Sequence, residues 1–491
     1  MSLVERSVTS ATWNAGANLF KVAILLARSI LLARLLPIET FGVYALATAV
    51  VTFSGILPKF GLGGAFLHRA AETADEESAA AVHFTLRLVL TAIWAVALLS
   101  LSLLLADGGL RLALVVLTLL YGGLYLTDTA RMVLVRRVQH RRLAVLDLLN
   151  AVATTLVAVI LARRGYQLTA LLATDFITLA VTVVVLLLWR PVWRPRLLWL
   201  RQVVGYYVSF GRRTMAESAL SEALDNLDDI WTGVYLGDQA LGLYSRAFTF
   251  ATYPRRLLAF PVFEVAGGTY AELKGDAHQL AQAFFRVNAL LLRSGFLMGG
   301  LLVLIAPEFV RLLLGEKWLP MVTAFQLMFV YTLLDPVRVT VGQLFVAVGR
   351  PERLWRTRLA QLAILVIGLF TLGRAWGING VAIVVNVMLV AGLVWLLHRA
   401  REYVRFSAAR LFIPPAVALI GGALAALAAL YLGCGQTTAL SCRSDWLAMA
   451  LKGAPFVVAY GGLLFLMERR EMSRMLQIVR RALFPRPGSP L

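Results

Sequence analysis

Apolar residues run along this chain in long blocks, separated by short segments rich in arginine. A helix needs about 20 mostly apolar residues to cross a bilayer. Fourteen blocks meet that length, at 11–36, 41–66, 81–106, 111–135, 143–162, 168–189, 204–235, 240–270, 284–306, 320–348, 357–373, 377–398, 410–432 and 447–467. The first, seventh and eighth are the least apolar. The pattern predicts an all-α polytopic membrane protein with about 14 transmembrane helices.

One short pattern is written twice. Residues 41–47 read FGVYALA, and residues 241–247 read LGLYSRA. An acid precedes each, Glu39 and Asp238, where a helix N-terminus favours negative charge. In the count above the two motifs open helices 2 and 8, six helices apart, so both run the same way through the membrane. The echo therefore predicts two six-helix lobes related by a pseudo-two-fold axis along the membrane normal. The lobes are expected at 1–189 and 205–400, joined by a cytoplasmic interfacial linker at 190–204. That linker, RPVWRPRLLWLRQVV, suits a helix lying at the membrane surface. Helices 13 and 14 fill 401–467. An amphipathic cytoplasmic tail with arginine opposite Met472, Met475, Leu476, Val479 and Leu483 fills 468–491.

Composition agrees. Of 491 residues, 60% are hydrophobic, more than a soluble core can hide. The net charge of +20 would suit nucleic acid in a soluble protein. Here the charge sits between apolar blocks, which excludes nucleic acid and points to the positive-inside bias of a multi-pass protein. The basic clusters at 136–142, 190–201, 350–358, 399–410 and 469–486 all fall on one side. Both termini are therefore expected in the cytoplasm. Cys434 and Cys442 share one loop on the outside, where a disulfide would persist; a bridge and two free thiols both remain open. The start lacks the pattern of a cleaved signal peptide.

Charges within the blocks are the candidate site, because each is costly at lipid depth and usually meets a cavity or a partner. Asn14, Lys21 and Arg28 are spaced by seven and share one face of helix 1. Arg87, Arg246, Tyr253, Arg286 and Arg293 add cationic and aromatic positions on helices 3, 8 and 9. With the helix 1 stripe they are the candidate substrate-binding set, for a large anion that arginine holds bidentately. Snorkelling or structural pairing is the alternative for the same residues. Helix 7 carries Arg213, Glu217, Ser221, Asp225 and Asp228, and helix 10 carries Asp335 and Arg338 around Pro336, where a kink is expected. Glu217, Asp225, Asp228, Asp335 and Arg338 are candidates for ion coupling or for structural pairs, with the helix 8 arginines as partners for Asp225 and Asp228. The five histidines are scattered, and neither a metal-ligand spacing nor a catalytic motif is present.

Residues 226–248, NLDDIWTGVYLGDQALGLYSRAF, resemble the signature of Wzx-like bacterial polysaccharide-transport flippases, a branch of the multidrug/oligosaccharidyl-lipid/polysaccharide exporter superfamily. Asn226, Asp228, Gly233, Leu236, Gly237, Leu241, Gly242, Tyr244 and Ala247 are the matching positions. The stretch 33–69 is similar to that family's opening. Family members often carry Phe-Pro-Ala near the end of helix 8, where this chain reads VAGGTYAEL at 265–273. The resemblance implies a non-enzymatic flippase for an undecaprenyl-diphosphate oligosaccharide, working by alternating access within the membrane lipid. It implies no cofactor, with coupling to a sodium or proton gradient open. The tail's own spacing suits a membrane-surface anchor, with docking of a polymerase or glycosyltransferase as the alternative. An ion-coupled multidrug exporter and a membrane polysaccharide polymerase or ligase are the alternatives.

The orientation is testable at the cysteine loop. After reduction, an impermeant thiol reagent should label Cys434 and Cys442 from outside intact cells; labelling only from the cytoplasmic side would invert the topology.

Overall fold

The computed structural model describes residues 3–69, 75–105, 107–137, 139–189, 191–256, 260–434 and 444–469. These residues are helical with short connections, and no strand occurs among them. Ten helical runs are long and apolar enough to cross a membrane. One of them, Glu352–Ala400, breaks at Trp376 and Gly377, whose dihedrals are not helical, and so contains two helices. The protein is an all-α, multi-pass membrane protein.

The first compact unit is Met1–Ser245. It contains α1 (Leu3–Leu35), α2 (Ile38–Ser54), the short α3 (Ile56–Lys59) and α4 (Leu62–His68), α5 (Glu76–Leu103), α6 (Gly108–Arg136), α7 (His140–Arg163), α8 (Gln167–Val183), α9 (Arg201–Leu236) and the start of α10 (Asp238–Pro254). Aspartates start two of these helices. Asp75 accepts from the Ser78 amide at 3.2 Å, and Asp107 accepts from the Gly109 amide at 2.9 Å, each satisfying an orphan N–H of the first turn.

The second unit is Arg246–Leu491. It holds the rest of α10, then α11 (Phe260–Glu272), α12 (Ala277–Phe309), α13 (Val322–Leu327), α14 (Phe329–Ala347), α15 (Glu352–Gly368), α16 (Arg374–Ala400), α17 (Ala408–Cys434) and α18 (Asp445–Met467). Asp276 caps α12 through the amides of His278 and Gln279. One core cluster joins α11, α12, α14, α16, α17 and α18 through residues such as Phe284, Phe345 and Phe456.

Three expectations change. The units divide inside α10, later than the linker at 190–204, because α9 packs along α2 and stays with the first unit. The linker itself is not a helix: residues 191–200 are irregular, and α9 begins at Arg201. Pro191 and Pro195 remove two amide donors and restrict the residues before them, which defeats the helical pattern. Trp193 is instead buried against Phe84, with ring centroids 5.6 Å apart. Helix 10 is also divided, since α13 ends at Leu327 and α14 runs on through Pro336. The Cys434–Cys442 pairing and the tail beyond Arg469 lie outside the described residues.

The echoed motifs pack against each other. A Cβ at Gly42 would overlap the carbonyl of Asp238, and a Cβ at Gly242 would overlap the carbonyl of Ile38. Each motif therefore supplies the glycine that lets the other's helix start come close. Each motif's tyrosine then donates to a carboxylate: Tyr44 to Asp175 at 2.7 Å and Tyr244 to Asp228 at 2.6 Å. The repeat is physical as well as textual.

Gly242→Ala should push these backbones apart and destabilise the fold by about 1–3 kcal/mol. A melting temperature in detergent equal to that of the unaltered protein would show that the crossing tolerates a methyl group.

Candidate functional site

The membrane-depth charges of the first unit are set by helix pairing. α1 lies along α7, and both carry polar groups seven residues apart. Lys21 meets Asp147 at 2.7 Å, and Arg28 donates to the Thr154 hydroxyl at 2.9 Å. The side chains of Lys21 and Asp147 are 32% and 31% exposed, so that pair remains reachable from its surface. Arg131 approaches the same Asp147 at 3.9 Å. Arg28 differs from its neighbours: among the described residues it makes no ion pair. Asp175, which Tyr44 already holds, lies within electrostatic reach of Arg28. Asn14 lies on α1 two turns before Lys21, with its side chain outside the described set.

Arg87 is buried and paired. It bonds Asp128 on α6 and the Pro58 carbonyl, the latter at 2.9 Å. This is the arrangement expected of a structural ion pair, since a guanidinium without its partner could not remain buried. On α9 the polar stripe divides. Asp225 is exposed and Glu217 half-buried, whereas Asp228 is buried with Tyr244 as its donor. Asp228 thus meets a phenol where an arginine of helix 8 was expected. Glu222 and Asn226 turn towards α2 and α3, taking Lys59 at 2.5 Å and the Thr52 hydroxyl at 2.6 Å.

In the second unit Asp335 is wholly buried and serves two arginines, Arg338 at 2.7 Å and Arg255. Arg255 also lines a small cavity with Ser294, Thr332 and Pro336. Arg246 is half-buried, and Tyr253 is buried with Arg256 over its ring at 5.4 Å. Arg293 is buried and held bidentately by Glu468, both bonds at 2.6 Å. Lys452 meets Glu308 at 2.6 Å, and Arg311 meets Asp445 at 2.8 Å, so three ion pairs tie α12 and its extension to α18. The run from Arg293 to Arg311 rises about 27 Å, near the ~30 Å hydrocarbon thickness. Arg286 lies two turns beyond Arg293, exposed and donating to Gln282 at 3.4 Å. On this measure it stands at the aqueous border.

Asp128, Asp147, Asp175, Glu308 and Lys452 were not among the sequence-derived site residues. Each interrupts an apolar block, which was a usable signal. Asp147 and Thr154 also repeat the heptad spacing of Lys21 and Arg28. No group of three or more potential metal ligands occurs among the described residues.

Residues 31–323 match the family described as polysaccharide biosynthesis protein. The chain is 22% identical over 389 residues to the lipopolysaccharide biosynthesis protein WzxC of Escherichia coli (strain K12), covering 78% of each. It is 28% identical over 325 residues to the succinoglycan biosynthesis transport protein ExoT of Rhizobium meliloti (strain 1021), covering 64% of this chain and 62% of that one. Its fold is that of the lipid II flippase MurJ in an inward closed conformation, at a TM-score of 0.76 and 11% identity, over 94% of this chain and 99% of the other.

The Arg87–Asp128 pair makes a prediction. Asp128→Leu alone should cost about 3 kcal/mol by stranding a buried charge, and Arg87→Met with Asp128→Leu should recover most of it. Equal thermal stability of the single and double variants would remove the pair from the account.

Proposed function

The chain belongs to the polysaccharide biosynthesis protein family, and from that membership we propose that it is a flippase for an undecaprenyl-diphosphate-linked oligosaccharide. It would act in the bacterial cytoplasmic membrane, with both termini inside, as a transporter that makes and breaks no covalent bond.

Arg28 is the observation that carries this reading. Most described cations at membrane depth are paired with carboxylates, whereas among the described residues Arg28 makes no ion pair and bonds the neutral Thr154 hydroxyl at 2.9 Å. A guanidinium has five N–H donors, and its planar fork suits phosphate oxygens. A diphosphate headgroup is the natural anion for such a residue in a protein of this family. Lys21 supports it from the next position on the same face, shared with Asp147. The prenyl chain needs no polar site, because it can stay in lipid.

Transport would proceed by alternating exposure of these residues to the two sides of the membrane. Coupling to a proton or sodium gradient is assigned to Asp228. Its Oδ2 takes the Tyr244 hydroxyl, and its buried Oδ1 accepts no hydrogen bond from the described residues. A proton or a cation on that oxygen would remove an uncompensated buried charge.

Arg28→Ala should lower polysaccharide output at least tenfold with normal membrane insertion, matching the loss of a charge-assisted bond worth about 1.5–3 kcal/mol. Arg28→Lys should retain an intermediate level. Unchanged output from Arg28→Ala would take Arg28 out of the mechanism.

A further inference from the structure

The corner of the first unit where α4, α6 and α9 meet the linker carries charge that transport does not use. One apolar cluster there contains Phe66, Val133, Trp193, Val203 and Tyr207. Two guanidinium groups lie against the ring of Phe66, Arg69 at 5.5 Å and Arg136 at 5.7 Å from its centroid. Arg69 is buried, and burial first and Arg136 second hold its guanidinium below the usual arginine range. Each cation gains from the ring face, but two like charges drawn to one ring in a partly dry corner oppose each other.

The described acids of the corner are shared: Asp75 and Glu76 act on Arg69 across space while holding other partners. Glu76 pairs with Arg137 at 2.5 Å, Glu77 pairs with Arg196 at 2.9 Å, and Asp75 caps α5. Among the described residues Arg136 makes no ion pair. It gives one N–H to the Phe66 carbonyl at 2.7 Å, leaving most of its fork for another acceptor. Beside it the linker turns Trp193 inward and leaves Trp189, Leu197 and Trp199 exposed, with Arg194 and Arg201 exposed among them. Bulky aromatic side chains alternating with arginine are the composition of a surface that sits at the headgroup level of an anionic leaflet.

We propose that Arg136, with Arg194 on the linker and Arg201 at the start of α9, forms a binding site for the phosphate of an anionic phospholipid. The aromatic and aliphatic side chains of the linker enter the leaflet, and the arginines take the headgroup. The lipid answers Arg136 and fixes the linker to the membrane surface. This site is independent of the transport reading, because lipid retention reports on it without any substrate.

The test uses full-length protein in detergent, given phosphatidylglycerol or phosphatidylcholine and examined by native mass spectrometry. The unaltered protein should retain phosphatidylglycerol in preference to phosphatidylcholine. Arg136→Gln should reduce that retention about fivefold, and Arg136→Lys should keep part of it. Because Arg136 also holds the Phe66 carbonyl, Arg194→Gln provides a variant on the exposed linker. It should lose retention in the same direction with an unchanged melting temperature. Equal retention by the unaltered protein and both glutamine variants would overturn the site. Displacement of phosphatidylglycerol by millimolar inorganic phosphate, with no preference over phosphatidylcholine, would overturn the lipid as its occupant.

Discussion

A charge carried into the hydrocarbon must be answered there, and this constraint organises the protein. Lys21 with Asp147, Arg87 with Asp128, Lys452 with Glu308, and Arg255 and Arg338 with Asp335 are each closed within one unit. Each joins different elements or braces a helix around a proline, so the pairs act as fasteners in a solvent where apolar packing gives little preference between helices. Where the rule is relaxed, chemistry becomes available. Arg28 faces a hydroxyl instead of a carboxylate, and Asp228 keeps one buried oxygen without a donor from the described residues.

Much of the fold was legible in the order of apolar and basic residues, because crossing a bilayer demands length and composition that leave a plain trace. The least apolar blocks were the informative ones. α1 and α9 carry polar faces, and those faces hold Lys21, Arg28, Glu222, Asn226 and Asp228. The seven-residue spacing on α1 identified its polar face, yet it said nothing of what lay opposite. Pairing between α1 and α7 is a long-range choice that local periodicity does not encode, although Asp147 and Thr154 bear the matching spacing. For the same reason Arg293 was legible as an intramembrane cation, while its partner Glu468 lay in a segment read only as tail.

Two features show local chemistry and tertiary context overriding pattern. The alternation of Trp and Arg in the linker fits an amphipathic helix, but Pro191 and Pro195 prevent one, and burial of Trp193 determines the path instead. The repeated motif was readable as internal symmetry. Its purpose becomes clear only in three dimensions, where Gly42 and Gly242 each make room for the backbone that precedes the other motif. Such a crossing needs both glycines, which is a sufficient reason for the chain to write the pattern twice.

The central claim is movement of a lipid-linked oligosaccharide from one leaflet to the other. The most direct measurement uses inverted membrane vesicles charged on the cytoplasmic leaflet with radiolabelled undecaprenyl-diphosphate oligosaccharide. The account predicts arrival of label in the lumenal leaflet that requires the protein and rises with an imposed sodium or proton gradient. No protein-dependent arrival of an authentic donor lipid would contradict it.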